Sequence, residues 1–324
     1  MYVKQRIRLL AFVCAVCVAC TVAAQDKFPA KAVTIIVPQT PGGANDVLAR
    51  ILAQKLTENL GQQFIVENRP GAGGNIGTVF AAKAPKDGYT WMLTANSVIV
   101  VNPALYKNPG FDPIRDFEPV TSIAGVPYLW VAHPSFAANS IKELIDMAKA
   151  NPGGIAYASA GNGTPNHLLG EMFKAQAGVD LLHVPYKGAS AAATDVMGGR
   201  VPVSVQSMPA AISYIHAGKL KVLAVASEGR VRALPDVPAV SETVPGYGST
   251  PWYGIFVPAG TPAPIISRIH AEVVKALAAR DLQDKMFAQG AEPTHSTPEQ
   301  FAALIKSELP KWAQIVKASG MQLD

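Results

Sequence analysis

Short apolar runs alternate with helix-spaced apolar positions along most of this chain, and glycine or proline separates one from the next. The first unit carries the pattern. Val33 to Val37 is a β-branched run of the kind a buried strand uses. Pro38 and Pro41 forbid regular structure behind it, and Gly42 and Gly43 let the backbone bend tightly. Val47, Leu48, Ile51, Leu52 and Leu56 then recur at helical spacing, which predicts a helix beginning near Ala44 to Asp46. Strand, glycine turn and helix N-terminus together bring free backbone N–H groups and the positive end of a helix dipole to one place. That combination suits an anion without any basic side chain. A tight turn with no ligand has the same signature, so a second loop of similar make matters.

The alternation continues. It predicts strands at Phe64–Val66, Tyr89–Leu93 and Val120–Ile123, with a helix from the glycine-rich stretch at 67–77 through about Ala84. Thr94 to Ser97 end the second of these strands. Asn102 to Pro119, rich in proline, aspartate and aromatics, reads as an ordered connector without helix. A second α/β series follows, with strands at Leu129–Ala132, Ile155–Ser159, Leu181–Pro185, Val201–Val205 and Val222–Ala226. Its helices open at the Ser140–Glu143 capping box and at Pro165, and stop at Gly178, Gly198 and Gly218. A return strand through Trp252–Val257 precedes two or three helices, the last opened by the capping box Thr297–Gln300. Strands separated by helices predict a mainly parallel sheet in each series.

Composition changes this picture little. A chain of 324 residues with 49% hydrophobic and 16% charged residues has material for about two packed domains. Lys4, Arg6 and Arg8 followed by apolar Leu9–Val22 read as a secretory signal, cleaved near Ala24, so the protein is expected in the periplasm. All three cysteines, Cys14, Cys17 and Cys20, lie inside it, and Cys20 makes a poor lipid-attachment site because Cys17 stands at its −3 position. Removing the signal leaves 25 basic against 23 acidic residues, and no basic run or basic–aromatic stripe points to nucleic acid.

The second loop of strand–glycine–helix type is Gly161-Asn162-Gly163-Thr164, where the threonine can cap the helix or, with the glycine amides, hold a carboxylate. In open α/β sheets, ligands sit at the carboxyl ends of strands. Those ends here carry Pro41–Gly43, Asn96–Ser97, Gly161–Thr164, Tyr186–Gly188 and Gln206–Ser207, drawn from both series. Two facing lobes would bring them together. Gly71–Gly77 lacks the Gly-x-Gly-x-x-Gly spacing and the later acidic residue of a dinucleotide site, so no cofactor is expected. The six histidines show no metal-type spacing, His167 among them reading as structural, and there is no Gly-x-Ser-x-Gly elbow. Dipole complementation alone explains Asp46, while Trp252 and Tyr253 read as core or hinge packing.

Several segments match a known family. They are Pro41–Asp46 with Ala49-Arg50, Val66–Gly77, Pro85–Tyr89, Asp116–Val120, Tyr157–Ser159 with Gly161–Gly163 and His167, His183–Gly188, Gly218–Val225, Leu234–Pro238 and Trp252–Gly254. In these the chain resembles the Bug-type periplasmic solute-binding proteins, receptors of tripartite tricarboxylate transporters. The resemblance implies a type II periplasmic-binding fold, two α/β lobes around a ligand cleft joined by hinge strands. It implies a small carboxylate ligand (a di- or tricarboxylate, an aromatic acid or an acidic amino acid) held by loop amides and waters. By position, Gly42, Gly43, Asn96 and Ser97 would face it from the first lobe, and Gly161, Asn162, Gly163, Thr164 and Tyr186 from the second. Gln39 departs from the family's usual aromatic or aliphatic residue. Gln206, at a position that varies between members, is a neutral ligand contact that disfavours an amino-acid ammonium.

The expectation is therefore an exported, monomeric, non-enzymatic receptor that passes its ligand to membrane permease subunits. Its signal would be 1–24, its first lobe 25–124 with 228–324, and its second lobe 125–227, with hinges near Ile123–Val126 and Ala226–Gly229. Two other readings share the architecture: a ligand sensor for a membrane signalling protein, and an exported α/β hydrolase.

Overall fold

The computed structural model describes residues 28–319, 322 and 323, so the secretory signal and its cysteines lie outside the described residues. The first unit folds as its pattern predicts. Strand β1 (Val33–Val37) turns through the Pro-Gly-Gly loop into helix α1 (Ala44–Leu60), which ends at a left-handed Gly61. β2 (Phe64–Asn68), α2 (Asn75–Ala82) and β3 (Thr90–Ala95) follow. β1 pairs in parallel with both β2 and β3.

The connector departs from expectation. A π-type turn over Ser97–Val101 runs into a one-turn helix α3 (Asn102–Leu105), where the sequence reads as having no helix. Pro103 suits a first helical turn, and Leu105 gains full burial by closing it.

β4 (Phe117–Gly125) then leads straight into β5 (Tyr128–Ala132), and the chain changes sheet there. The second series comprises α4 (Ile141–Ala150), β6 (Ala156–Ser159), α5 (Pro165–Ala177), β7 (Leu182–Pro185), α6 (Ala189–Met197), β8 (Val203–Ser207), α7 (Met208–His216) and β9 (Lys221–Val225). Residues 226–251 return to β10 (Trp252–Pro258), and α8 (Ala263–Leu277), α9 (Arg280–Ala288), β11 (Glu292–Pro293) and α10 (Pro298–Ser319) complete the chain. Among the described residues no helix is long and apolar enough to cross a membrane.

Two sheets result, in the orders β11-β4-β10-β3-β1-β2 and β7-β6-β8-β5-β9. Each is mainly parallel, as expected: β1–β4 share one direction in the first and β6–β9 in the second, crossed by antiparallel strands. β10 runs against β3 and β4, and β5 runs against β8 and β9. The strands that carry the chain between lobes enter each sheet from the opposite end, a direction that local periodicity does not encode.

At this crossing the Val126 amide donates to Pro251 and the Ala226 amide to Tyr128, at 3.0 and 2.7 Å. The hydroxyls of Tyr128 and Tyr253 meet at 2.8 Å, tying β5 to β10 in the buried middle of the molecule. Gly254 lies against Cζ and Cε1 of the Phe301 ring from α10, with which a methyl group would collide. Tyr247 of the return segment packs edge-on against Phe173 and accepts the Trp130 indole N–H, anchoring the return on the second lobe.

Candidate functional site

Five helices end at the seam between the lobes, and none of these five N-termini has a side-chain cap: α1 after Gly43, α2 after Gly74, α5 after Thr164, α6 after Gly188 and α7 after Ser207. Elsewhere α3, α8 and α9 also lack a side-chain cap, whereas α4 and α10 carry one. Ser140 accepts from the Glu143 amide on α4, and Thr297 and Gln300 bond reciprocally on α10. Glycine offers no side-chain oxygen, so three of the five seam helices present first-turn amides by their composition alone. Thr164 could cap α5 but instead donates its hydroxyl to the Gly161 carbonyl at 2.6 Å, closing the turn that precedes it.

The lobes touch here. Ser190 donates to the Pro41 carbonyl at 3.2 Å, and the Tyr106 hydroxyl donates to the Asn162 carbonyl at 3.3 Å. Gly163 has φ +77°, and a Cβ there would lie 3.0 Å from Asn102 Oδ1 and 3.1 Å from Leu105. Both its backbone conformation and its neighbours require glycine.

Several buried polar atoms along this seam have no hydrogen-bond partner among the described residues. Asn45 Oδ1, Asn75 Nδ2, Thr94 Oγ, Ser97 Oγ and Asn102 Oδ1 come from the first lobe, and Gln206 Oε1 from the second. Each such atom costs about 1–3 kcal/mol if left unbonded, so a cluster of them marks a place built for polar contact. Basic side chains are not part of it. Asp46, at the first turn of α1, is engaged by Arg50 at 2.9 Å and by the Gly42 amide at 3.0 Å. Burial works against its charge, but the bonds from Arg50, Gly42 and Asn68 outweigh that and hold its carboxyl below the usual range. Among the described residues no three His, Cys, Asp or Glu side chains converge as metal ligands.

The ten residues singled out from the sequence are not equivalent in this arrangement. Gly42 and Gly43 lie in the loop that meets Ser190, with the Gly42 amide already donated to Asp46. Ser97 is buried with its hydroxyl unpartnered, whereas Asn96 lines a groove of about 640 Å³ between α5 and Trp312 of α10. The Gly161 and Gly163 amides donate to Ser159 and His167, and the Asn162 carbonyl accepts from Tyr106. Tyr186 gives its hydroxyl to Asp195, itself paired with Arg200 at 2.7 Å. Gln206 is fully buried and donates to Ser204 at 2.9 Å and to the Ala189 carbonyl at 3.4 Å. Sequence reasoning passed over Asn45, Thr94, Asn102, Tyr106 and Ser190. Asn45 and Thr94 adjoin motifs that were read, but Asn102 and Tyr106 sit in the connector, whose composition carries no ligand signal.

Two α/β lobes, joined by crossing strands and meeting through glycine turns and uncapped helix ends, define a solute-binding receptor of the type II periplasmic-binding class. Residues 48–321 match the tripartite tricarboxylate transporter family receptor, and the chain belongs to that family. Three solved structures are similar along nearly their whole length. The periplasmic binding protein BugD is 37% identical with a TM-score of 0.86, covering 91% of this chain and 99% of its own. A protein of R. palustris solved with adipate is 34% identical with a TM-score of 0.88, at 91% and 99% coverage. MatC of Rhodopseudomonas palustris, with bound malate, is 28% identical with a TM-score of 0.83, covering 89% of this chain and 99% of its own. The Bug-type resemblance and the two-lobed fold are thereby established, and the family is one of periplasmic receptors rather than enzymes.

Proposed function

We propose that this protein is exported to the periplasm, closes on a small organic dicarboxylate and hands it to membrane permease subunits. The observation that carries the reading is the set of unpartnered buried polar atoms supplied by both lobes beside uncapped helix N-termini. Amide and hydroxyl donors at helix ends stabilise carboxylates without a fixed cation. The ligand contacts would come from Gly42, Gly43, Asn96 and Ser97 on one side and from Gly161, Asn162, Gly163, Thr164, Tyr186 and Gln206 on the other. A neutral Gln206 favours a ligand without an ammonium group. Adipate and malate, found in two relatives, fit that chemistry.

Ligand that binds only the folded, closed form shifts the population toward it and raises apparent stability. The test is a thermal-shift screen of C4–C6 dicarboxylates, aromatic acids and acidic amino acids on the mature chain. At least one dicarboxylate should raise the midpoint by several degrees, and a panel without any shift defeats the reading. Deletion of the gene should then abolish uptake of that acid by whole cells, separating a transport receptor from a sensor.

A further inference from the structure

Two histidines of the second lobe take no part in the function proposed above. His167, in the first turn of α5, and His183, in β7, stack ring on ring with centroids 4.3 Å apart and planes 25° from parallel. Tyr157 of β6 stacks on His183 as well, at 4.9 Å. Each imidazole is tied to a glycine amide of one loop. Gly163 N–H donates to Nδ1 of His167 at 3.3 Å. Gly161 N–H donates to Ser159 Oγ at 3.1 Å, and that hydroxyl lies 2.7 Å from Nε2 of His183.

The first of these bonds constrains the protonation of its ring. A nitrogen that accepts from an amide needs its lone pair, so His167 carries its proton on Nε2 and is neutral. His183 Nε2 accepts the Ser159 hydroxyl in one tautomer and donates to its oxygen in the other, and either way Ser159 keeps a lone pair for the Gly161 amide. Burial favours the uncharged form of both rings and lowers the pKa of His167. Burial first, and then the neighbouring His167, push His183 down to about 4. The charged groups facing the pair are Glu171 and Lys174, one and two turns further along α5, and they are already engaged. They pair at 3.1 Å, and Glu171 also accepts the Tyr157 hydroxyl at 2.7 Å. Across the seam, Asn102 and Tyr106 press on Gly163 without bringing charge.

We propose that His167 and His183 are positioning residues: stacked and uncharged, they set the Gly161–Thr164 loop in the shape that meets the first lobe, and a proton on His167 Nδ1, which consumes the lone pair that the Gly163 amide uses, releases it. Ligand affinity is then coupled to pH through the loop, a consequence that rests on the reading that this loop faces the ligand.

The test uses the mature protein labelled with nitrogen-15. Without ligand, the Gly163 amide resonance should move between pH 7.5 and 4.5 with the midpoint of the His167 imidazole resonances. In His167→Asn, whose side-chain oxygen can still accept from the Gly163 amide but does not titrate in this range, the Gly163 movement should vanish. Calorimetry with adipate supplies the second arm. Wild-type affinity should fall between pH 7.5 and 5 at least threefold more than that of His167→Asn, since protonation of adipate itself is common to both. At pH 7.5, His167→Leu should bind about tenfold more weakly than His167→Asn. A Gly163 amide that stays fixed while His167 titrates overturns the proposal, as does an identical pH dependence in wild type and His167→Asn. If adipate binds neither protein, the ligand-free resonances decide, which separates failure of the ligand reading from failure of this one.

Discussion

The hydroxyl of Tyr106 donates to the main-chain carbonyl of Asn162 across 3.3 Å, joining the short helix α3 of the first lobe to the glycine turn of the second. Burial raises the pKa of this hydroxyl, so it stays a donor through the neutral range. The ring also occupies the space beside Gly73 and Gly163, where a Cβ would come within 2.6 Å of the Tyr106 oxygen and 3.2 Å of the ring edge respectively. One residue therefore both fills the seam and latches it.

Replacing Tyr106 with Phe removes the latch and keeps the ring. A neutral hydrogen bond of this kind contributes about 0.5–1.5 kcal/mol, so ligand affinity should drop roughly two- to tenfold. Calorimetry reads the change, and the ligand-free melting temperature should stay within about two degrees of wild type.

Gly163→Asp should abolish carboxylate binding while the chain still folds. Its φ of +77° disfavours any side chain, at a cost of about 1–2 kcal/mol. The added carboxylate would also face Asn102 Oδ1 and any bound anion. Circular dichroism should match wild type, small-angle scattering should show no ligand-induced compaction, and an unchanged dissociation constant would remove the loop from the site.

Gln206→Glu places a charge in a fully buried position whose present amide donates to Ser204 and Ala189. An acceptor-only carboxylate loses both bonds and repels an anion. Like charges set against each other in a binding site cost several kcal/mol, so dicarboxylate affinity should fall by at least about a hundredfold. Binding measured at lower pH, where the new carboxyl takes up a proton, should recover part of the loss.

Gly254→Ala tests the crossing strand rather than the ligand. Its methyl group would enter the Phe301 ring, and overpacking of this type costs about 1–3 kcal/mol. The urea midpoint should fall with an unchanged slope.

Acid should weaken the fold through His183. Its pKa of about 4 in the native state lies below the unfolded value near 6.5, so the unfolded chain takes up the proton first. This contribution is fully present above about pH 6.5 and is lost as pH falls toward 4, by at most about 3 kcal/mol. Denaturant midpoints measured at pH 7.5 and 5 should differ more in wild type than in His183→Gln.

Local order fixes much of this protein before any tertiary contact forms. The β-branched run before Pro38, the glycines at 42, 43, 161 and 163, and the capping boxes at Ser140 and Thr297 act over a few residues, so periodicity and turn chemistry reveal them. They suffice for the alternating α/β order, the helix starts and the family resemblance, and they locate the loops from which a site could be built. Which donors in those loops are free is a different matter. The Gly42 amide belongs to Asp46 and the Gly163 amide to His167, while the unpartnered atoms at the seam belong to Asn45, Asn75, Thr94, Ser97, Asn102 and Gln206. The antiparallel entry of β5 and β10, and the contact of Tyr106 with Asn162, likewise join residues far apart in the chain. Such pairings depend on how two sheets are threaded and how closely two lobes approach. Hydrophobic period and turn composition carry no information about either.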